Sequence, residues 1–95
     1  MKHQRHFERA SSARSREAAQ ISKMISDLDR LIRILDCDIA AEEERARVSD
    51  RSDAAYPILA RVLAARRDNL RDTITALEQR LSSLPVETDL FPELV

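Results

Sequence analysis

The sequence predicts an all-α fold, an antiparallel two-helix hairpin with coiled-coil-like packing. Composition is the first reason. The 95 residues include no Gly and no Trp, 3% are aromatic and 35% are charged. Glycine-free chains rich in Ala, Leu, Arg and Glu favour long helices, because sheets and tight turns draw on Gly and on bulky flat side chains. The second reason is a pair of heptad patterns of matching length. The third is the segment between them, Ser49-Asp50-Arg51-Ser52-Asp53, where turn and capping residues cluster.

Residues 1–15 read as a basic, flexible N-terminal arm. Ser11 or Ser12 could cap a helix, but no apolar stripe would hold its early turns. Within residues 1–20, Lys2, Arg5, Arg9, Arg14 and Arg16 stand against Glu8 and Glu17, a net charge of +3.

Helix one is expected over about residues 16–48. Ile25, Ile32 and Ile39 occupy heptad position a, and Ile21, Leu28 and Leu35 occupy d. These alternating spacings of three and four keep one seam turned toward a partner helix. Ala46 continues the a series, whereas Glu42 interrupts d. Met24 and Leu31 at g, with Ile34 further round, make the apolar face wider than one seam requires. Asp29–Arg33 and Glu43–Arg47 are i,i+4 pairs of the kind that lace a solvated flank.

The turn is expected at about residues 49–53, with Ser52 or Asp53 capping the second helix. Pro57 fits only the first turn of a helix. Helix two is expected over about residues 54–84. Tyr56, Leu63, Leu70, Leu77 and Leu84 form its d series; Ala60, Ile74 and Leu81 fall at a, with Arg67 the exception. Pro85 ends the helix at or before Leu84. So short a connection makes the helices antiparallel neighbours, and counting outward from Arg51 sets Ile21 opposite Leu81.

Residues 85–95 form an acidic tail. Glu87, Asp89 and Glu93 face no base there, a net charge of −3. Its apolar residues Leu90, Phe91 and Leu94 are candidate docking anchors.

A single seam must offset the ordering of about sixty residues, and small single-layer scaffolds draw on a staple, a metal or a partner. One cysteine, Cys37, excludes an internal disulfide and a Cys-based zinc site. Surplus apolar surface exists instead, at Met24, Leu31, Ile34, Ile58 and Val62. Two hairpins are therefore expected to pair into a four-helix bundle as a homodimer, or one hairpin to lie against another protein. Arg66 and Arg67 would set the polarity of the contact.

Catalysis is not expected. No Gly is present where backbone must approach a substrate or cradle a phosphate. His3 and His6 both lie in the arm, so no Ser/His/Asp or Cys/His set forms. Cys37 between Asp36 and Asp38 is disfavoured as a thiolate. The Glu42–Glu44 run lacks the inward Glu-x-x-His pairs of a di-iron bundle, so no metal or cofactor is expected. No apolar run reaches the ~18 residues of a membrane span, and a cytoplasmic location is expected. The basic arm is the one feature suited to nucleic acid, through phosphate neutralisation. Without aromatic stacking platforms, that reading is the alternative to the protein–protein one.

The central stretch resembles the flagellar export coiled-coil protein family, the rod-like components that accompany the export ATPase. The resemblance lies in Leu35-Asp36, Ile39-Ala40-Ala41-Glu42-Glu43, Ser49-Asp50, Ala55-Tyr56-Pro57, Ala60 and Arg66-Arg67-Asp68-Asn69-Leu70. It covers about residues 35–70. Members of that family carry more coil beyond both ends of this hairpin. The resemblance implies a non-catalytic helical hairpin, adaptor or chaperone-like, that binds other proteins in type III export; it implies no catalytic residues.

Overall fold

The computed structural model describes residues 2–85, with side chains from residue 12 onward. Two helices, α1 (Lys2–Ala46) and α2 (Ile58–Ser83), pack side by side into an all-α antiparallel hairpin. The rod measures 69 × 18 × 16 Å. Heptad spacing places the seam where periodicity predicts it. Ile21, Ile32, Leu35 and Ile39 are buried on α1, facing Tyr56, Ala60, Ala64 and Ile74 on the α2 side. Ile25, Leu28, Leu63, Leu70, Leu77 and Leu81 are half-buried between them.

Among the described residues, three side-chain pairs across the hairpin fix the register. Glu43 meets Tyr56 near the turn, Asp36 meets Arg67 midway, and Glu17 meets Arg80 towards the far end. Packing is tightest at the turn, where Ile39, Tyr56, Ala60 and Ala64 form a cluster with Val48 and Leu63 against it. Alanines at 60 and 64 let the backbones approach closely there. Among the described residues, six large hydrophobics remain exposed outside the seam.

The connection is longer than the expected 49–53. α1 stops at Ala46 in a Schellman arrangement, in which Val48 N–H donates to the Glu43 carbonyl and Arg47 N–H to that of Glu44, both at 3.2 Å. Arg47 takes the left-handed position at φ 57°, which usually falls to Gly. In a chain without Gly, an arginine bears that strain. The Asp50 carboxylate then accepts from Ser52 N–H and Oγ, and Asp53 Oδ1 accepts from Ala55 N–H. These bonds commit Ser52 and Asp53 to turns, so neither caps α2.

α2 starts at Ile58 rather than near residue 54, because a proline excludes helical backbone at the residue before it. Pro57, extended at φ −61° and ψ 132°, is the N-cap, and its carbonyl accepts from Arg61 N–H at 3.2 Å. α2 ends at Ser83, just short of Pro85 as expected.

The largest departure is at the N-terminus. α1 begins at Lys2 instead of near residue 16, so the basic arm is continuous with helix one. Residues 2–15 hold no Gly or Pro and are mostly helix formers. Once the seam has nucleated a helix, each further residue adds a backbone bond at little cost, and an apolar stripe is not required.

Candidate functional site

The two broad faces of the hairpin differ, and the difference can be built up from heptad lanes. On one face, α1 presents Asp29, Asp36 and Glu43, seven residues apart. Arg67, at the a position of α2, is buried at 8% exposure. Its Nη1 donates to Asp36 Oδ1 at 3.0 Å and its Nε to Asp68 Oδ1 at 3.3 Å. Those carboxylates, the Asp36 bond first, raise the pKa of Arg67 further above its already high value, so the guanidinium stays charged. Arg71 extends the network to Asp68 at 3.7 Å.

Nearer the turn, the buried Tyr56 hydroxyl donates to Glu43 Oε2 at 2.7 Å. That carboxylate holds the phenol above its ordinary pKa, since ionising it would lose the bond and set two anions together. Arg61 lies 5.2 Å from the Tyr56 ring centroid, and its Nη2 donates to the Asp53 carbonyl. Glu43 is thus engaged across the hairpin and forms no pair with Arg47. Asp29 and Arg33 form no ion pair among the described residues either. This face is closed by the chain itself.

The opposite face is defined by Glu17 and Arg80, whose carboxylate and guanidinium meet at 2.6 Å. Steps of seven lead from Glu17 to Met24 and Leu31, and back from Arg80 to Thr73, Arg66 and Leu59. Those two lanes therefore lie on the same side of the rod, with Ile34 and Val62 one turn further on. Met24 is 50% exposed, Leu31 44%, Ile34 51%, Leu59 50% and Val62 58%. Between Glu17–Arg80 and the turn, no side-chain bond crosses this face among the described residues.

Of the residues expected to meet a partner, Met24, Leu31, Ile34, Val62 and Arg66 share this face. Ile58 sits at its outer edge, 78% exposed. Arg67 does not belong to it. An arginine at a seam position turns inward when a carboxylate stands opposite, and Asp36 does. Leu59 is an addition; its seven-residue step to Arg66 was the available signal, obscured by Pro57 and Ile58 beside it. The tail residues Leu90, Phe91 and Leu94 lie outside the described residues.

Continuation of α1 to Lys2 also orders the basic residues. Lys2, Arg9, Arg16, Lys23 and Arg30 recur every seventh position along α1, and of those whose side chains are described, Arg16, Lys23 and Arg30 are exposed. Lys23 pairs with Asp27 at 3.1 Å. At the open end of the seam, Arg14 Nε is buried without a hydrogen-bond partner among the described residues.

One surface depression is lined by Thr75, Glu78, Gln79, Ser82 and Ser83 and another by Ala40, Glu43, Glu44, Arg47, Val48 and Ser49; both open to solvent. Among the described residues, no three of His, Cys, Asp or Glu stand together as metal ligands. No described helix is long and apolar enough to cross a membrane. Cys37 is exposed and free. Compared with known proteins, the chain matches no family model, no curated protein and no solved structure.

Proposed function

We propose that this chain is a non-catalytic helical-hairpin module, adaptor or chaperone-like, that works in the cytoplasm by binding protein through one face. The observation that carries the reading is the strip of Met24, Leu31, Ile34, Leu59 and Val62, about half exposed on a face that the chain does not close. Covering the remaining half of each side chain is worth about 1 kcal/mol, so five give about 5 kcal/mol before the cost of association. A single exposed leucine would carry no such meaning; several exposed aliphatics on one face mark an interaction surface. Arg66 on the same face gives the contact a polar reference point.

The resemblance of residues 35–70 to the flagellar export coiled-coil family supports a context in type III export, with export machinery as a partner. Affinity capture of the tagged chain from its native lysate, read by mass spectrometry, tests both levels. Export ATPase or flagellar subunits should be recovered, and lost when Leu31→Ala and Val62→Ala are combined. Recovery that ignores those substitutions contradicts the docking face, and recovery of unrelated proteins that depends on them removes the export context alone.

The lane of Lys2, Arg9, Arg16, Lys23 and Arg30 favours a second reading, contact with nucleic-acid phosphates. Its residues stand about 10 Å apart at ~1.5 Å rise per residue. Binding by that lane would weaken steeply with salt, and each Ala substitution would lower the slope of log affinity on log salt by about one.

A further inference from the structure

Resting on the reading of this face as a docking surface, we infer that its resident occupant is residues 86–95 of the same chain, laid back over the two helices as a strap that a protein partner displaces. Reach is the first argument. The chain leaves α2 through Leu84, already extended at ψ 138°. Averaged over the three cross-hairpin pairs, Met24 stands level with Ala76 and Leu31 with Asn69. Those levels lie about 14 and 24 Å back from Pro85 at ~1.5 Å per residue, with Ile34 about 28 Å back. Extended chain at ~3.3 Å per residue carries Leu90 about 16 Å and Leu94 about 30 Å from Pro85. If two residues are spent on reversing direction, the same positions fall at about 10 and 23 Å. On either count Leu90 comes level with Met24, and Leu94 with Leu31 or Ile34, to within about 4 Å.

Pattern is the second argument. Val86, Thr88, Leu90, Pro92 and Leu94 alternate with Glu87, Asp89, Phe91 and Glu93. In extended backbone successive side chains face opposite ways, so one row is uncharged and the other carries all three acids. Pro92 disfavours helical backbone at Phe91, and its missing N–H costs nothing in a strap that joins no sheet. The uncharged row is the one that suits an aliphatic face.

Charge is the third, and it chooses between the two faces. On the polar face, Asp29 and Glu43 form no ion pair among the described residues, and they repel a segment that carries three acids and no base. On the open face, Glu17 and Asp27 are already bound to Arg80 and Lys23. Arg66 forms no ion pair among the described residues. It lies about 28 Å back from Pro85 at ~1.5 Å per residue. Glu93 falls at about 26 Å in extended chain, or about 20 Å after a reversal, near enough for the long arginine side chain to meet it. The same placement that sets Leu90 and Leu94 on the aliphatic residues therefore brings an acid to the unpaired base.

The test is disulfide trapping in the full chain with Cys37→Ser, which removes its one native thiol. Thr73 and Thr75 make a matched pair of sites. Both are exposed, and each hydroxyl donates to a backbone carbonyl four residues back. Thr73 shares the lane of Arg66 and Arg80 on the open face, whereas Thr75 shares that of Asp68 on the other side of α2. Leu90→Cys is combined with Thr73→Cys in one chain and with Thr75→Cys in a second, both at low micromolar concentration in glutathione buffer. The intrachain disulfide should form with an effective concentration at least about 10-fold higher with Thr73→Cys, at equal helicity by circular dichroism. Independently, Leu94→Glu alone should shift the amide NMR signals of Met24, Leu31 and Ile34 and leave that of Asp29 in place.

Equal trapping at the two threonine positions, a preference for Thr75, or disulfides formed only between chains overturns the inference. So does a Leu94→Glu spectrum unchanged at Met24, Leu31 and Ile34. Equal trapping in a chain that captures another protein through Leu31 and Val62 overturns the strap while leaving the docking reading intact. Preferential trapping at Thr73 in a chain that captures nothing sustains the strap and removes the adaptor role.

Discussion

The two faces of the hairpin are built from the same two helices and end in opposite conditions. On one, Asp36 and Glu43 reach across to Arg67 and Tyr56, and polar groups that the seam would bury find partners within the chain. On the other, five aliphatic side chains stay about half exposed and, among the described residues, Glu17–Arg80 is the one side-chain bridge between the helices, at one end. The contrast separates two jobs. The polar face specifies which way the helices align, and the apolar face is left uncovered by the two helices. Buried ion pairs add little net stability but can fix register and orientation, and Arg67 with Asp36 is placed to do so.

The sharpest way to break this contrast is to truncate one aliphatic residue from each side of it. At low protein concentration, Ile39→Ala in the seam cluster should cost about 2–4 kcal/mol in urea unfolding. Leu31→Ala should cost less than about 1 kcal/mol under the same conditions, since its environment in the single hairpin is half water. Equal costs would mean that the two faces are energetically alike.

Arg67 gives the next largest effect. Arg67→Ala removes a buried, partnered guanidinium and leaves a gap, for an expected loss of about 1–3 kcal/mol, discounted because Asp36 is partly exposed. Arg67→Met fills the volume without charge and should fall within about 1 kcal/mol of wild type. If register is the function of the pair, the Met variant should show broadened or doubled amide NMR signals along α2 despite its stability.

A smaller gain is expected from Arg47→Gly. Relieving the left-handed strain at φ 57° should stabilise the hairpin by about 0.5–1 kcal/mol, offset in part by the looser unfolded chain. Urea midpoints of the two chains measure it, and a loss would show that the Arg47 side chain contributes more than the strain.

The smallest effect concerns pH. The Glu43 carboxylate raises the pKa of Tyr56 in the fold. A raised folded value contributes stability that is present below the unfolded value of about 10 and lost as pH rises through the folded one. Wild type should therefore weaken in strongly alkaline solution relative to Tyr56→Phe, and the two should run parallel near neutrality. Parallel curves throughout would show that the Tyr56–Glu43 bond has no linkage to folding.

Much of the fold was legible in the sequence. Period alone places Ile21, Ile32, Leu35 and Ile39 opposite Ala60 and Ile74, and Pro85 marks the end of α2. The open face was also legible in Met24, Leu31, Ile34 and Val62, since a helix with more apolar lanes than one neighbour can cover must leave some outside. The features that escaped had no pattern to show them. The start of α1 depends on propagation from a distant seam, which leaves no apolar stripe in residues 2–15. The left-handed Arg47 stands outside the Ser/Asp cluster that signals the turn. Arg67 looked like a surface residue until the register set Asp36 across from it. Pairing of side chains between helices requires the register, and composition does not supply it.

The central claim, that protein docks on the open apolar face, is tested most directly by affinity capture with the tagged wild type and with Leu31→Glu, whose helicity by circular dichroism should be unchanged. A protein partner should be recovered by the wild type and lost by the variant. Equal recovery by the two chains would contradict the claim.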